Sequence, residues 1–170
     1  ESSATIMKPY FKPTLDFALI VLCSPNHSIA MRSNAVEFIA IICEAKPRTI
    51  VKLGMAGTLV EAAFRLALEA DEDATDQLIA SFYGKSTGAN GDSSANDDDE
   101  DEDEGDNDDD IEPTPLYLSF VLMNSFASSV KPKLAFELSF EYLQKVLTDP
   151  SIGMIRKAHC LSMFGCVVEG

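Results

Sequence analysis

The sequence predicts an all-α protein, an α-solenoid of about three helical hairpins that carries one long acidic insert. Apolar residues recur at three- and four-residue steps in six separate stretches, which is the period of one helix face. Proline-bearing turns part those stretches, and two of the turns share a layout. A run of Asp and Glu lies between two of the helical stretches, too densely charged to join a core.

The first stretch, from about Tyr10 to Cys23, aligns Phe11, Leu15, Ala18, Leu19 and Leu22 on one face. Pro9 and Pro13 fall in its first turns, where a missing N–H costs little because those donors have no intrahelical partner. Ser24-Pro25-Asn26 ends it. The second stretch runs from Ser28 to about Ala45, with Met31, Ala35, Phe38, Ile39 and Ile42 on its inner side and Arg32, Ser33 and Asn34 as a polar entry. Lys46-Pro47 breaks it, because the residue before a proline is biased away from the helical region. In the third, Leu59, Ala63, Leu66 and Ala70 form an apolar stripe, and Glu61, Arg65 and Glu69 a charged one expected to pair along its own surface. Leu78, Ile79, Phe82 and Tyr83 extend that helix or add a short one before Gly84, Gly88 and Gly91 dissolve the pattern.

After Pro113 and Pro115, the stretch from Leu116 to Val130 contains no charge and is too short for a membrane span, so it reads as a helix buried on most sides. Lys131-Pro132 opens the next helix, with Leu134, Leu138, Tyr142 and Val146 inward and Glu137, Glu141, Gln144 and Thr148 outward, closed by Asp149-Pro150. The last helix, from about Ile152 to Val168, is expected to bury Ile155, Ala158, Leu161 and Val168 behind an Arg156-Lys157 entry.

The net charge of -15 is local. Between Asp71 and Glu112 there are eighteen acids and one base, Lys85, and the rest of the chain is close to neutral. Such a field repels nucleic-acid phosphates and attracts basic surfaces. Cys23, Cys43, Cys160 and Cys166 show no C-x-x-C spacing and read as reduced core cysteines. His159 beside Cys160 lacks a second ligand pair at metal spacing and reads as structural. The acidic run lacks the ligand order of a calcium loop, and its carboxyls are too solvated for one to be tuned as an acid and another as a base. No phosphate loop, nucleophile elbow or H-E-x-x-H motif is present, so binding is expected, and neither catalysis nor a cofactor. No signal peptide opens the chain. An opening without Met and an end just past a helix suggest a piece of something larger.

Two segments match in layout: helix, polar residue and Pro (Ser24-Pro25, Asp149-Pro150), then a helix whose entry reads Met31-Arg32 or Ile155-Arg156. Their spacing fits two-helix repeats of about 42 residues once the insert is removed. The expected hairpins are 1–46, 47–130 and 131–170, with a flexible insert at about 84–113. A closed six-helix bundle is the alternative, but it has no need of repeated turn chemistry. Pro25 to Arg32 is one step longer than Pro150 to Arg156.

The pattern Asp149-Pro150 with Ile155-Arg156-Lys157-Ala158, and its partner Met31-Arg32-Ser33-Asn34-Ala35, resembles the HEAT repeat signature, in which Asp and Arg of successive repeats form a polar ladder. The chain as a whole is similar to the middle of an importin-beta (karyopherin-beta) family nuclear transport receptor, nearest the branch that carries ribosomal proteins and histones. Phe11-Lys12-Pro13, Ala35 to Pro47, Leu66 to Asp73 and Lys131 to Gly170 carry the similarity, together with the acidic tract inside one repeat. A lack of Trp departs from importin-alpha, and from relatives with a Trp beside the acidic loop.

The resemblance implies a nuclear import module whose acidic loop engages basic cargo, the GTPase Ran, or both. Asp97, Asp98, Asp99, Glu100, Asp101, Glu102, Asp103, Glu104, Asp106, Asp108, Asp109 and Asp110 are the implied partner-binding residues, and Arg32, Asp149 and Arg156 the implied ladder. It also implies contacts with nucleoporins through the full-length protein and shuttling between cytoplasm and nucleus, with no direct nucleic-acid or membrane binding. An acidic histone chaperone or a general HEAT-repeat scaffold is the alternative, and a solvated spacer the plainest reading of the run.

Overall fold

The computed structural model describes residues 3–71 and 113–169, with side chains for 9–71 and 113–168. The acidic run, the Leu78 to Tyr83 pattern and the predicted insert up to Glu112 lie outside the described residues. The fold is all-α. Seven helices and no strand occur among the described residues: α1 (Ser3–Cys23), α2 (Ile29–Ala45), α3 (Pro47–Lys52), α4 (Ala56–Glu69), α5 (Pro115–Ser129), α6 (Pro132–Thr148) and α7 (Met154–Glu169).

Local chemistry explains the boundaries. The Ser28 side chain accepts from the Met31 N–H and starts α2, and Thr114 accepts from the Tyr117 N–H at 3.1 Å and starts α5. Pro47, Pro115 and Pro132 each stand in the first turn of their helix, where no donor is needed. Short α3, which periodicity alone did not separate from a turn, ends in a Schellman motif. Gly54 adopts φ 71, its N–H reaches the Val51 carbonyl, and the Met55 N–H reaches that of Ile50, both at 3.1 Å. This positive φ is where the chain turns from α3 into α4.

α1 packs on α2 and α4; α4 also packs on α5, α6 and α7; α5 meets α2, α6 and α7; and α6 meets α7. The uncharged α5 thus lies among four neighbours, and Leu116, Leu118, Leu122, Met123 and Phe126 are almost wholly buried. The buried hydroxyls around it are satisfied nearby: Ser119 of α5 donates to the Leu116 carbonyl at 2.6 Å, and Ser139 of α6 donates to the Met123 sulfur at 3.6 Å.

The predicted inner faces hold for α1, where Leu15, Ala18, Leu19 and Leu22 are buried, and for α4, where Leu59, Ala63, Leu66 and Ala70 are. They are rotated elsewhere. In α2 the buried set is Arg32, Ala35, Val36, Ile39 and Cys43, while Met31 and Phe38 are exposed. In α6, Ala135, Ser139, Leu143 and Val146 are buried, and Leu134, Leu138 and Tyr142 are only half-buried. In α7, His159, Cys160, Met163, Phe164 and Val167 are buried, and Ile155, Leu161 and Val168 are exposed. These helices carry apolar residues on nearly every side, so periodicity leaves the phase open and the neighbouring helices choose it. All four cysteines are free, Cys43 and Cys160 fully buried.

Candidate partner-binding site

Asp97 to Glu104, Asp106 and Asp108 to Asp110 lie outside the described residues, between Asp71 and Pro113. Several contacts place the ends of the described helices. Arg32, in the first turn of α2, donates from Nε to the Leu22 carbonyl near the end of α1 at 2.8 Å. Its two terminal nitrogens donate to the two carboxylate oxygens of Glu69, in the last turn of α4, each at 2.7 Å. His159 near the start of α7 is hydrogen-bonded to the backbone of Ala67, again near the end of α4. The ends of α1, α4 and α6 and the starts of α2 and α7 therefore gather at one end of the molecule. The short turn from α5 into α6 puts the start of α5 there too. Asp71 and Pro113, between which the acidic stretch lies, belong to this end.

The Arg32 to Glu69 pair is the strongest fixed point near that exit. Arg32 is 4% exposed, and the Glu69 side chain 31%. Each residue sits at the helix end whose partial charge has the same sign as its own, a cation in a first turn and a carboxylate in a last one, which is unfavourable for either alone. Pairing bidentately offsets both, and the Arg32 Nε–H satisfies a carbonyl that its own helix leaves without a partner. The expectation that Glu69 pairs along its own helix with Arg65 is thereby corrected: its carboxylate goes to Arg32 of α2.

The predicted ladder of Arg32, Asp149 and Arg156 is not assembled. Arg32 is engaged by Glu69 and Leu22. Asp149 Oδ1 accepts from the Ser151 hydroxyl at 2.6 Å and from the Ser151 N–H at 2.8 Å, and these bonds hold its carboxyl below the usual range. Arg156 is exposed. The burial pattern does keep Arg156 in the place of Arg32, since Ala35, Val36, Ile39 and Cys43 match the buried His159, Cys160, Met163 and Val167. What differs is the partner. The acid of Arg32 comes from α4, whereas Arg156 points into solvent. Lys157 makes the equivalent of the other bond, donating to the Leu147 carbonyl at 2.9 Å, one residue before the end of α6 as Leu22 is before the end of α1. Lys157 lies seven residues after Pro150, as Arg32 lies after Pro25, which accounts for the one-step mismatch in the sequence. Periodicity marks neither Glu69 nor Lys157 as a partner between helices; for Glu69, a carboxylate in a last turn is the local signal.

A groove of about 310 Å³ runs between α1 and α4, lined by Asp16, Leu19, Ile20, Cys23, Thr58, Glu61, Ala62 and Arg65. Burial raises the Cys23 thiol above its ordinary value, so it stays protonated. Asp16 is taken up by Lys12 at 2.7 Å, and Glu61 accepts from the Tyr142 hydroxyl at 3.1 Å. Among the described residues no cluster of His, Cys, Asp and Glu could hold a metal ion, and no helix is long and apolar enough to cross a membrane.

The fold places the chain in the all-α class. Comparison with family models, with characterised proteins and with solved structures gives no match.

Proposed function

We propose that the chain is a binding module of the importin-beta type, a stack of HEAT-like hairpins that presents its acidic run to basic cargo proteins or to Ran. The pairwise packing supports the stack: α1 with α2, α4 with α5 and α6 with α7 make hairpins, and each hairpin meets the next through both of its long helices. One observation carries the function. α4 and α5 pack directly on each other although the whole acidic stretch separates them in sequence, so it leaves and returns at one end, beside the Arg32 to Glu69 clamp. A near-neutral scaffold joined to so concentrated a run of carboxylates suits histone tails and basic ribosomal-protein segments. In this reading the protein moves between cytoplasm and nucleus, with nucleoporin contacts elsewhere on the full-length protein, and the work is binding without cofactor or catalysis.

Binding of this kind is long-range and weakens as the Debye length falls from about 10 Å at 0.1 M salt to about 3 Å at 1 M. A histone tail is expected to bind at low salt, and replacement of Asp97 to Glu104 by Ser and Gly is expected to remove most of the affinity and its salt dependence. Titration of both versions at two salt concentrations checks it. Equal affinity and equal salt dependence would make the run a spacer. Release of the bound cargo by GTP-loaded Ran separates the import receptor from an acidic histone chaperone or general scaffold, which would keep its cargo.

A further inference from the structure

The helices sort by direction. α2 and α5 start at the end where the acidic stretch leaves and returns, and α4 and α6 finish there. The turns from α2 through α3 into α4, and from α5 into α6, therefore lie at the opposite end, on helices that pack on one another. Those two turns carry Lys46, Arg48, Lys52, Lys131 and Lys133, five of the twelve bases outside the acidic stretch, and all five are exposed. Of these, among the described residues, only Lys133 forms an ion pair, with Glu137 at 3.7 Å, and the other acid close by in sequence is Glu44.

Lys46 and Lys131 follow the last turns of α2 and α5, where a cation is favourable. Arg48 and Lys133 stand in first turns, where it is not, and no acid in the first turn of α3, α4 or α6 offsets them. An excess of positive charge is left at this end for a partner to neutralise.

We propose that the basic end binds the chain's own acidic run, from Asp97 to Asp110. Charge complementarity selects a run of carboxylates, and the length of the stretch lets this one reach. Glu104 is nine residues from Pro113, and nine extended residues span up to about 30 Å. The 15 residues of α5, which lead from that end to the other, span only about 22 Å. Linkage within one chain raises the effective concentration of the run to about the millimolar range, ahead of an acidic segment on another protein. Exposed pairs of this kind add little to folding stability. What they change is access: basic cargo and the chain's own lysines compete for the same carboxylates. The competition rests on the binding function proposed above; the contact itself does not.

A fluorescent peptide with the sequence of residues 97–110 tests the contact. It is titrated against the full chain with every acid from Asp97 to Asp110 changed to Ser, circular dichroism showing that each variant is folded. The peptide is expected to bind at low salt and to be lost near about 1 M. Adding K46S/R48S/K131S is expected to weaken it at least about tenfold, while R65S/K145S/R156S, which removes the same charge elsewhere, leaves it nearly unchanged. Wild type, its basic end already occupied, is expected to bind the peptide at least about tenfold more weakly than the neutralised chain. No binding by the neutralised chain, equal losses from the two triple variants, or a wild type that binds the peptide as well as the neutralised chain would overturn the contact. A histone tail titrated against wild type and both triple variants in the wild-type background separates the two levels. Tighter binding by K46S/R48S/K131S than by the other two supports the competition, and equal binding by all three overturns it. A tail that binds none of them overturns the proposed function, while the peptide titration still decides the contact.

Discussion

Arg32 joins three helices through one guanidinium, and its removal strands the half-buried Glu69 carboxylate together with the Leu22 carbonyl. Breaking a buried pair by taking away one partner is far costlier than losing a surface pair. Arg32→Ala is therefore expected to destabilise by about 2 to 4 kcal/mol, and Arg156→Ala by less than about 1, read from urea denaturation of the two variants. Equal costs would mean that the bidentate pair adds nothing. His159 gives a pH dependence at the same scale. Burial pushes its imidazole below the ordinary 6.5, against a smaller opposite effect from its bond to the Ala67 backbone, and Arg156 lowers it further. The neutral form is favoured in the folded chain, so between pH 6.5 and the lower folded value the unfolded chain binds more protons and stability falls as pH falls. His159→Leu is expected to flatten this part of the stability curve, which denaturation at a series of pH values checks.

At the scale of elements, α5 shows how position overrules pattern. Lying against α2, α4, α6 and α7, it buries Phe126 almost completely, and Phe126→Ala is expected to cost about 3 to 5 kcal/mol through lost transfer energy and a residual cavity. Phe38 on α2 looks as deeply placed in the sequence, yet it is 37% exposed, and Phe38→Ala is expected to cost only about 1 to 2 kcal/mol. Thermal melts of the pair decide whether α2 has the orientation described. The reason periodicity misjudged α2 and α7 is specific. Met31, Phe38 and Ile41 on α2 and Ile155, Leu161 and Val168 on α7 are apolar residues on sides that no other described helix covers. In α4, the exposed Glu61, Arg65 and Thr58 mark the outer side, and the predicted stripe lies inside a wider buried face that also takes in Val60, Ala62, Phe64 and Ala67.

At the scale of the whole molecule, the most extensive contact between described helices joins α4 and α5, the helices that the acidic stretch separates. Their contact does not require the insert, and loop closure costs only about 0.6 kcal/mol for each doubling of length. Deleting Asn90 to Asp110 is accordingly expected to leave cooperative unfolding intact and the midpoint unchanged or slightly raised, because mutual repulsion among the carboxylates goes with them. Loss of a cooperative transition in that deletion would show that the insert packs on the scaffold.

The sequence by itself determined that the chain is helical, where most helices begin and end, and that its negative charge is concentrated in one stretch. Those properties are local: capping hydroxyls, prolines in first turns, the period of apolar residues and runs of like charge act over a few residues and can be read there. Only the tertiary structure decided which side of α2 and α7 is inside, that Glu69 belongs to Arg32, and that Lys157, and not Arg156, reaches back to the preceding helix. Each of these depends on a partner brought close by packing between helices far apart in the chain, where a rotation of one residue step changes which side chain is buried and which carboxylate a guanidinium can reach.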